Sequence, residues 1–287
     1  MKPPPFEYDD PSTLDEVLAL LAEHGEDAKV LAGGQSLVPL LNFRLARPDR
    51  LIDVNGVSEL DYLRLEHGTL RIGALVRHAR LESSEEARAV PLLQQAVRFV
   101  GHVQIRNRGT VGGSVAHADP AAELPAALTA LGARFRARSA RGERVLAADE
   151  LFVTHLTTSL EPDEILTEIE VPSSPPGSGA AFVEYARRHG DFALGGAAVL
   201  VRLDRGGTCE DAAIALLAAA PTPVRAAEAE NALRGRVIDE AAAREAAARA
   251  VESINPTGDI HGSADYRRGL IEALLRRAIL QAKESVA

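Results

Sequence analysis

Two glycine turns hold the residues best suited to chemistry. The first is Leu31-Ala32-Gly33-Gly34-Gln35-Ser36 and the second is Arg108-Gly109-Thr110-Val111-Gly112-Gly113-Ser114. Paired glycines allow positive φ and let a backbone approach a ligand closely. Successive unpaired N–H groups in such turns form anion-binding concavities, and Ser36, Thr110 and Ser114 add hydroxyl donors. Two such turns on one face would grip both phosphates of a pyrophosphate. Taken singly, each turn is as well suited to tight packing against neighbouring strands. Neither contains G-x-G-x-x-G or G-x-x-x-x-G-K-[ST], so neither a Rossmann nor a P-loop reading is licensed.

Other reactive residues are sparse. His117-Ala118-Asp119 has a metal-like spacing, but a site needs three or four ligands and no further cluster supplies them, so no metal is expected. His102 and His117 flank the second turn, where contact with a cofactor and an ordinary hydrogen-bonded role are both open. Asp191 follows Gly190, as a turn-forming Asp does; the alternative is an acid or base. Glu240, Arg244, Glu245 and Arg249 have i,i+4 spacing and read as a solvated helix face. No catalytic base or nucleophile is nominated. Cys209 is the single cysteine. The chain therefore forms no internal disulfide, builds no Cys-rich zinc site and holds no iron–sulfur cluster of its own.

The elements that position the turns follow from pattern. Thr13-Leu14-Asp15-Glu16 has capping-box spacing, Leu14, Val17, Leu18 and Leu21 share one face, and Gly25 suits a stop. Lys29–Ala32 reads as a strand, Ser36 towards Leu45 as a helix and Leu51–Val54 as a strand. Further on, Thr69–Gly73 reads as a strand, Pro91–Val100 and Glu123–Leu131 as helices, and Arg134–Arg138 with Glu143–Leu146 as a hairpin around Gly142. Ile165–Val171 alternates as a half-buried strand does. The Pro- and Ser-rich stretch from Val171 to Gly179 is a linker. Beyond it lie strands over Ala181–Arg187, Ala193–Leu203 and Ala212–Ala218, then helices over Val224–Leu233, Asp239–Glu252 and Tyr266–Ala282. Strands followed by helices predict a separate α+β layer domain. The chain has 287 residues, 46% hydrophobic and 25% charged, enough for a sizeable core. A net charge of −9 without a basic cluster argues against nucleic acid. No secretory h-region and no membrane-spanning run is visible, so a cytoplasmic protein is expected.

The neighbourhoods of the two turns resemble a known family. Ala32-Gly33-Gly34-Gln35-Ser36 followed by Leu37-Val38-Pro39 is similar to the first FAD loop in the flavoprotein subunits of molybdenum hydroxylases, of the xanthine dehydrogenase and aerobic carbon monoxide dehydrogenase type. Arg106-Asn107-Arg108-Gly109-Thr110-Val111-Gly112-Gly113-Ser114 resembles their second loop, and Ala118 to Pro125 the stretch that follows it. Glu164-Ile165-Leu166 with Val171-Pro172 resembles the strand closing the FAD domain. Arg187 to Ala193 and Ser263 to Arg268 resemble two marks of the C-terminal domain. These matches run in order across nearly the whole chain.

The resemblance implies an α+β fold: a two-subdomain FAD-binding domain of the vanillyl-alcohol-oxidase/PCMH type over 1–175 (subdomains about 1–56 and 57–175), then a smaller α+β domain over 180–285. It implies an FAD site made of Lys29, Val30, Leu31, Ala32, Gly33, Gly34, Gln35, Ser36 and Leu37, with His102, Ile105, Gly109, Thr110, Val111, Gly112, Gly113, Ser114, His117 and Asp119. Glu123 would accept hydrogen bonds from flavin-side hydroxyls, Ile165 would pack near the ring system, and Phe192 stands where relatives place an aromatic. Glu184 departs from a position that is often Lys. The implied partners are a molybdenum-cofactor large subunit and a [2Fe–2S] small subunit, in a dimer of heterotrimers. The implied work is electron transfer to a quinone or NAD. The rival readings are a stand-alone FAD oxidase and a non-catalytic nucleotide-binding assembly module.

Overall fold

Strands Glu7–Asp9, Ala28–Leu31 and Arg50–Asp53 form a parallel three-stranded sheet with the third in the centre. The structure, a computed structural model, describes residues 2–286, so the first residue of the expected 1–175 span lies outside the described residues. Helix Leu14–His24 starts at a reciprocal cap: Thr13 Oγ1 accepts from the Glu16 N–H, and the Glu16 carboxylate accepts from the Thr13 N–H. Caps of this kind contribute about 1 kcal/mol. Leu14, Val17, Leu18 and Leu21 are buried against Ile52, Val54, Leu75 and Ile165. Gly25 ends the helix as expected, in right-handed geometry. A Cβ there would lie 2.4 Å from the Pro162 carbonyl oxygen, so close approach requires the glycine. The next helix, Leu37–Asn42, ends short of Leu45 because the chain turns through a positive φ at Arg44.

The second sheet is antiparallel and five-stranded, in the order Leu63–Glu66, Thr69–Gly73, Ile165–Pro172, Arg134–Ser139, Gly142–Leu146. Its central strand is buried at every position from Ile165 to Ile169, where alternation predicted a half-buried strand. The reason lies in what covers each face. Helix Val111–His117 packs on one side. On the other, Glu168 is roofed by Arg71, Arg136 and Tyr62. Helices His78–Ser83, Val103–Arg108 and Val111–His117 were not anticipated, and helix Pro91–Val97 stops three residues before Val100.

Strands Ser178–Tyr185, Gly195–Leu203, Cys209–Leu217 and Val224–Arg225 form a third, antiparallel sheet. Val224 pairs with Leu216, so the helix expected from Val224 begins only at Ala227. One face of this sheet packs on helices Ala227–Leu233, Glu240–Glu252 and Ala264–Glu284. The other joins the core of the preceding part: Phe182, Ala198, Ala215 and Leu217 share one apolar cluster with Leu92, Leu93, Leu124 and Leu128. Only Ser173–Gly177 separates the strands on either side of the linker. Among the described residues no helix is long and apolar enough to cross a membrane.

Candidate functional site

A cavity of about 790 Å³ opens between the first sheet, the second sheet and the loop that carries Gly190 to Phe192, within the size range of cofactor sites. It is lined by the first glycine turn (Ala32 to Leu37) and by Gly109, Thr110, Gly112, Gly113 and Ser114 of the second. Lys29, Val30, Ile105, His117, Asp119, Glu123, Ile165 and Phe192 also line it. Leu31, Val111 and His102 do not. Leu31 faces a smaller cavity on the other side of the first turn. Val111 is wholly buried in the core. His102 is exposed, with its ring against His189 and Gly190.

The two turns differ in what they offer. In the first, the backbone N–H groups of Gly34, Gln35, Ser36 and Leu37 have no acceptor among the described residues. Gly34 adopts φ +72°, and Gln35 steadies the turn by donating to the Gly33 carbonyl at 3.0 Å. This is a run of free donors of the kind that holds anions. The second segment is not an open turn beyond Thr110: residues Val111–His117 are helical. The N–H groups of Val111 and Gly112 donate to Val76 and Ala74, and that of Gly113 to Thr110 Oγ1. Its glycines serve close packing rather than positive φ. A Cβ on Gly112 would lie 2.5 Å from Ala74 Cβ. The second segment therefore presents the hydroxyls of Thr110 and Ser114, not a row of amides.

The turns touch each other. A Cβ on Gly33 would lie 2.6 Å from the Arg108 carbonyl oxygen and 2.8 Å from Gly109 Cα. Two side chains tie them together. Asn55 donates to the Ala32 carbonyl at 2.8 Å. Arg77 donates to Asn55 Oδ1 at 2.6 Å and to the Arg108 carbonyl. Next along the chain, His78 holds the second segment twice, its N–H donating to the Gly109 carbonyl at 3.0 Å and its Nε2 lying 2.9 Å from the Thr110 carbonyl. Sequence reasoning missed Asn55, Arg77 and His78. They sit in no motif, and only the tertiary fold brings them to the turns.

Burial sets the charge states. It pushes His78 down to about 4, against the hydrogen bond to Thr110 and with help from Arg106 and Arg77. His78 is therefore neutral near pH 7, with Nε2 as donor and Nδ1 left without a partner. His78→Leu is expected to weaken the affinity of a ligand held by the two turns about tenfold, from one lost hydrogen bond and a stranded carbonyl. Titration with that ligand checks this, and unchanged affinity would rule out the clamp. Burial also lowers His117, opposed by Asp119 and aided by His155. It raises Glu123 to about 7, where its own backbone N–H acts against the shift and Asp119 with it. Among the described residues no group of three or more His, Cys, Asp or Glu side chains is arranged to hold a metal. Cys209 is buried and unpaired, away from the cavity.

Comparison with known proteins agrees with this geometry. Residues 4–174 match the family described as the FAD binding domain in molybdopterin dehydrogenase, and residues 180–282 the CO dehydrogenase flavoprotein C-terminal domain. The chain is 47% identical to the 6-hydroxypseudooxynicotine dehydrogenase complex subunit alpha of Paenarthrobacter nicotinovorans, over 98% of this chain and 96% of that one. It is 44% identical to the caffeine dehydrogenase subunit beta of a Pseudomonas species, over 100% of this chain and 97% of that one. It superposes on a chain of carbon monoxide dehydrogenase from Hydrogenophaga pseudoflava with a TM-score of 0.97, at 40% identity and full coverage of both. With a run of unpaired amides in a turn that lines a cofactor-sized cavity, and with both halves matched end to end, the chain belongs to the FAD-binding medium subunits of the molybdenum hydroxylases.

Proposed function

We propose that this chain is the FAD-carrying electron-transfer subunit of a molybdenum hydroxylase complex, working between the [2Fe–2S] clusters of a small partner subunit and an external acceptor, a quinone or NAD. The observation that carries the reading is the set of N–H groups at Gly34–Leu37 without an acceptor among the described residues, in a turn that lines the cavity. They fit a pyrophosphate, aided by the hydroxyls of Ser36, Thr110 and Ser114. Glu123 would accept from the cofactor's hydroxyl groups, and Ile165 and Phe192 would pack against its ring system. The flavin supplies the redox chemistry; the protein supplies binding, orientation and electrostatics.

The division of labour follows from what the cavity holds. Its wall carries donors for an anion but no nucleophile–base pair in contact. Substrate oxidation is therefore assigned to the molybdenum-bearing large subunit, in a dimer of heterotrimers. We take residues 1–175 and 180–285 as two domains that close the cavity together, because Gly190, Asp191 and Phe192 of the second line it with the turns of the first. Phe192 is 69% exposed at this wall, an apolar surface that suits a docked iron–sulfur subunit. The contact should reach the standard interface size, on the order of 800 Å² per partner or more.

Stopped-flow flavin reduction tests the assignment. Substrate should reduce the flavin only in the full complex, and omission of the iron–sulfur subunit should abolish this. Metal analysis of the isolated chain should give only trace iron and molybdenum. Rapid reduction of the lone chain by a small substrate would instead support a stand-alone oxidase.

A further inference from the structure

A second cavity, of about 380 Å³, lies behind the first glycine turn. That volume is within the range of small-molecule sites. Gly33, Gly34 and Gln35 line both this cavity and the large one, so the turn is their common wall. Leu31, Val38 and Pro39 supply apolar surface, and Asp53, Asn55 and Arg108 supply polar surface. Neither Val38 nor Arg108 lines the large cavity. Val38 is 43% exposed, open to a ligand arriving from solvent.

The polar groups of this cavity are held in place, and one of them is free. Asp53 ends strand Arg50–Asp53 and accepts from the Tyr8 hydroxyl at 2.7 Å and from the Asn55 N–H at 2.9 Å. The Asn55 side chain donates to Asp53 at 2.6 Å and to the Ala32 carbonyl, and accepts from Arg77. Arg77 is engaged by Asn55 and by the Arg108 carbonyl. The Arg108 main chain is fixed at the end of helix Val103–Arg108, where a Cβ on Gly33 would lie 2.6 Å from its carbonyl oxygen. Its guanidinium, by contrast, has no hydrogen-bond or salt-bridge partner among the described residues, and it lines the cavity. Charge does not cancel here. Asp53 is the one carboxylate in electrostatic reach of both Arg77 and Arg108, and Asp61, the other acid near Arg77, is held by Arg80 at 2.8 Å. The cavity is thus locally positive in a chain whose net charge is −9.

We propose that the second cavity binds a small organic anion: a carboxylate or phosphate monoester whose charged head pairs with Arg108 and whose apolar body lies on Leu31, Val38 and Pro39. A guanidinium is planar and carries parallel N–H donors, so it matches either head group with two hydrogen bonds. The volume admits a body about the size of a mononucleotide or smaller. Such a site is additional to the FAD site, because its charged residue and its apolar wall belong to the second cavity alone. The common wall makes the occupant bear on the turn assigned to the pyrophosphate.

The test is calorimetric titration of the full chain, kept saturated with FAD, with adenosine monophosphate, benzoate and adenosine. Adenosine monophosphate or benzoate should bind at one per chain, and which of the two binds more tightly tells a phosphate site from a carboxylate site. Adenosine has a body but no charge and should bind at least about tenfold more weakly than the monophosphate, because charge-assisted hydrogen bonds are lost. Arg108→Ala should weaken the bound anion about ten- to a hundredfold. Val38→Glu, a change at an exposed position, places a like charge on the apolar wall and should cause a comparable loss at an unchanged melting temperature. Failure of both anions to bind would overturn the proposal, and so would equal affinity in Arg108→Ala and the parent. Binding seen only after FAD is stripped, and competed away by FAD, would put the probe in the large cavity and also overturn it, while leaving the FAD assignment standing.

Discussion

Gly34→Glu should purify without its flavin. Gly34 sits at φ +72° among the free N–H groups of the first turn. A side chain in the left-handed region costs about 1–2 kcal/mol. Its Cβ would stand 3.2 Å from both Leu31 Cδ1 and Val38 Cγ2, tight but not prohibitive. The larger effect is charge. A carboxylate at the mouth of an anion-binding turn occupies the donors and repels a pyrophosphate by several kcal/mol at low effective dielectric. We expect FAD affinity to fall more than about 100-fold, which is about 3 kcal/mol. Gly34→Ala separates the two contributions, because it carries the strain without the charge and should lose only about tenfold. Flavin content per protein and titration of the stripped chain provide the measurement. Near-normal FAD content in Gly34→Glu would remove the first turn from the phosphates.

A second large effect is expected at a residue that does not line the cavity. Glu168 is 2% exposed in the central strand of the five-stranded sheet. Its carboxylate accepts from Arg71 at 2.7 and 2.9 Å, from Tyr62 at 2.5 Å and from Arg136 at 3.2 Å. Glu168→Ala strands these donors, and breaking such a buried ionic cluster costs about 3–5 kcal/mol. For a chain of this size that lowers the melting temperature by on the order of 10 °C. Glu170→Ala, at the more open end of the same cluster, should cost about 1 kcal/mol or less. The pH dependence has a definite sign. Burial pushes Glu168 up, but the hydrogen bonds from Arg71 and Tyr62 outweigh it and hold its pKa below the usual value. Its contribution is therefore complete above the unfolded-state value of about 4.3, and is lost as the pH falls through the lower folded value. Acid unfolding monitored by circular dichroism should be less steep in Glu168→Ala. Equal melting temperatures for the variant and the parent would show the cluster to be energetically neutral.

The elements legible in the sequence were those with local causes. Helix Leu14–His24 is written in Thr13 and Glu16 and in its apolar face. The hairpin around Gly142 is written in a glycine at φ +149°. Helix Val111–His117 was hidden, because Gly112 and Gly113 oppose helix by about 1 kcal/mol each. Tertiary hydrogen bonds to Ala74 and Val76, and the closeness of Ala74, override that preference. The candidate site was legible in the same uneven way. Ligand-facing backbone leaves a glycine signature, so the turns could be read. The clamps that hold them could not: Asn55, Arg77 and His78 are ordinary polar residues until the fold brings distant carbonyls to them. Glu168 was equally invisible, since an alternating strand gives no sign that guanidinium groups will cover its outer face.

The apolar cluster that runs from Leu92 and Leu124 into Phe182, Ala198 and Leu217 bears on the order of events during synthesis. The ribosome delivers both glycine turns well before it delivers strand Gly195–Leu203 and the loop that carries Phe192. Until those arrive, helices Pro91–Val97 and Glu123–Ala130 expose a dry face, and the cavity lacks a wall. A chain truncated near residue 175 should therefore expose that face and aggregate, which light scattering against the full chain would show.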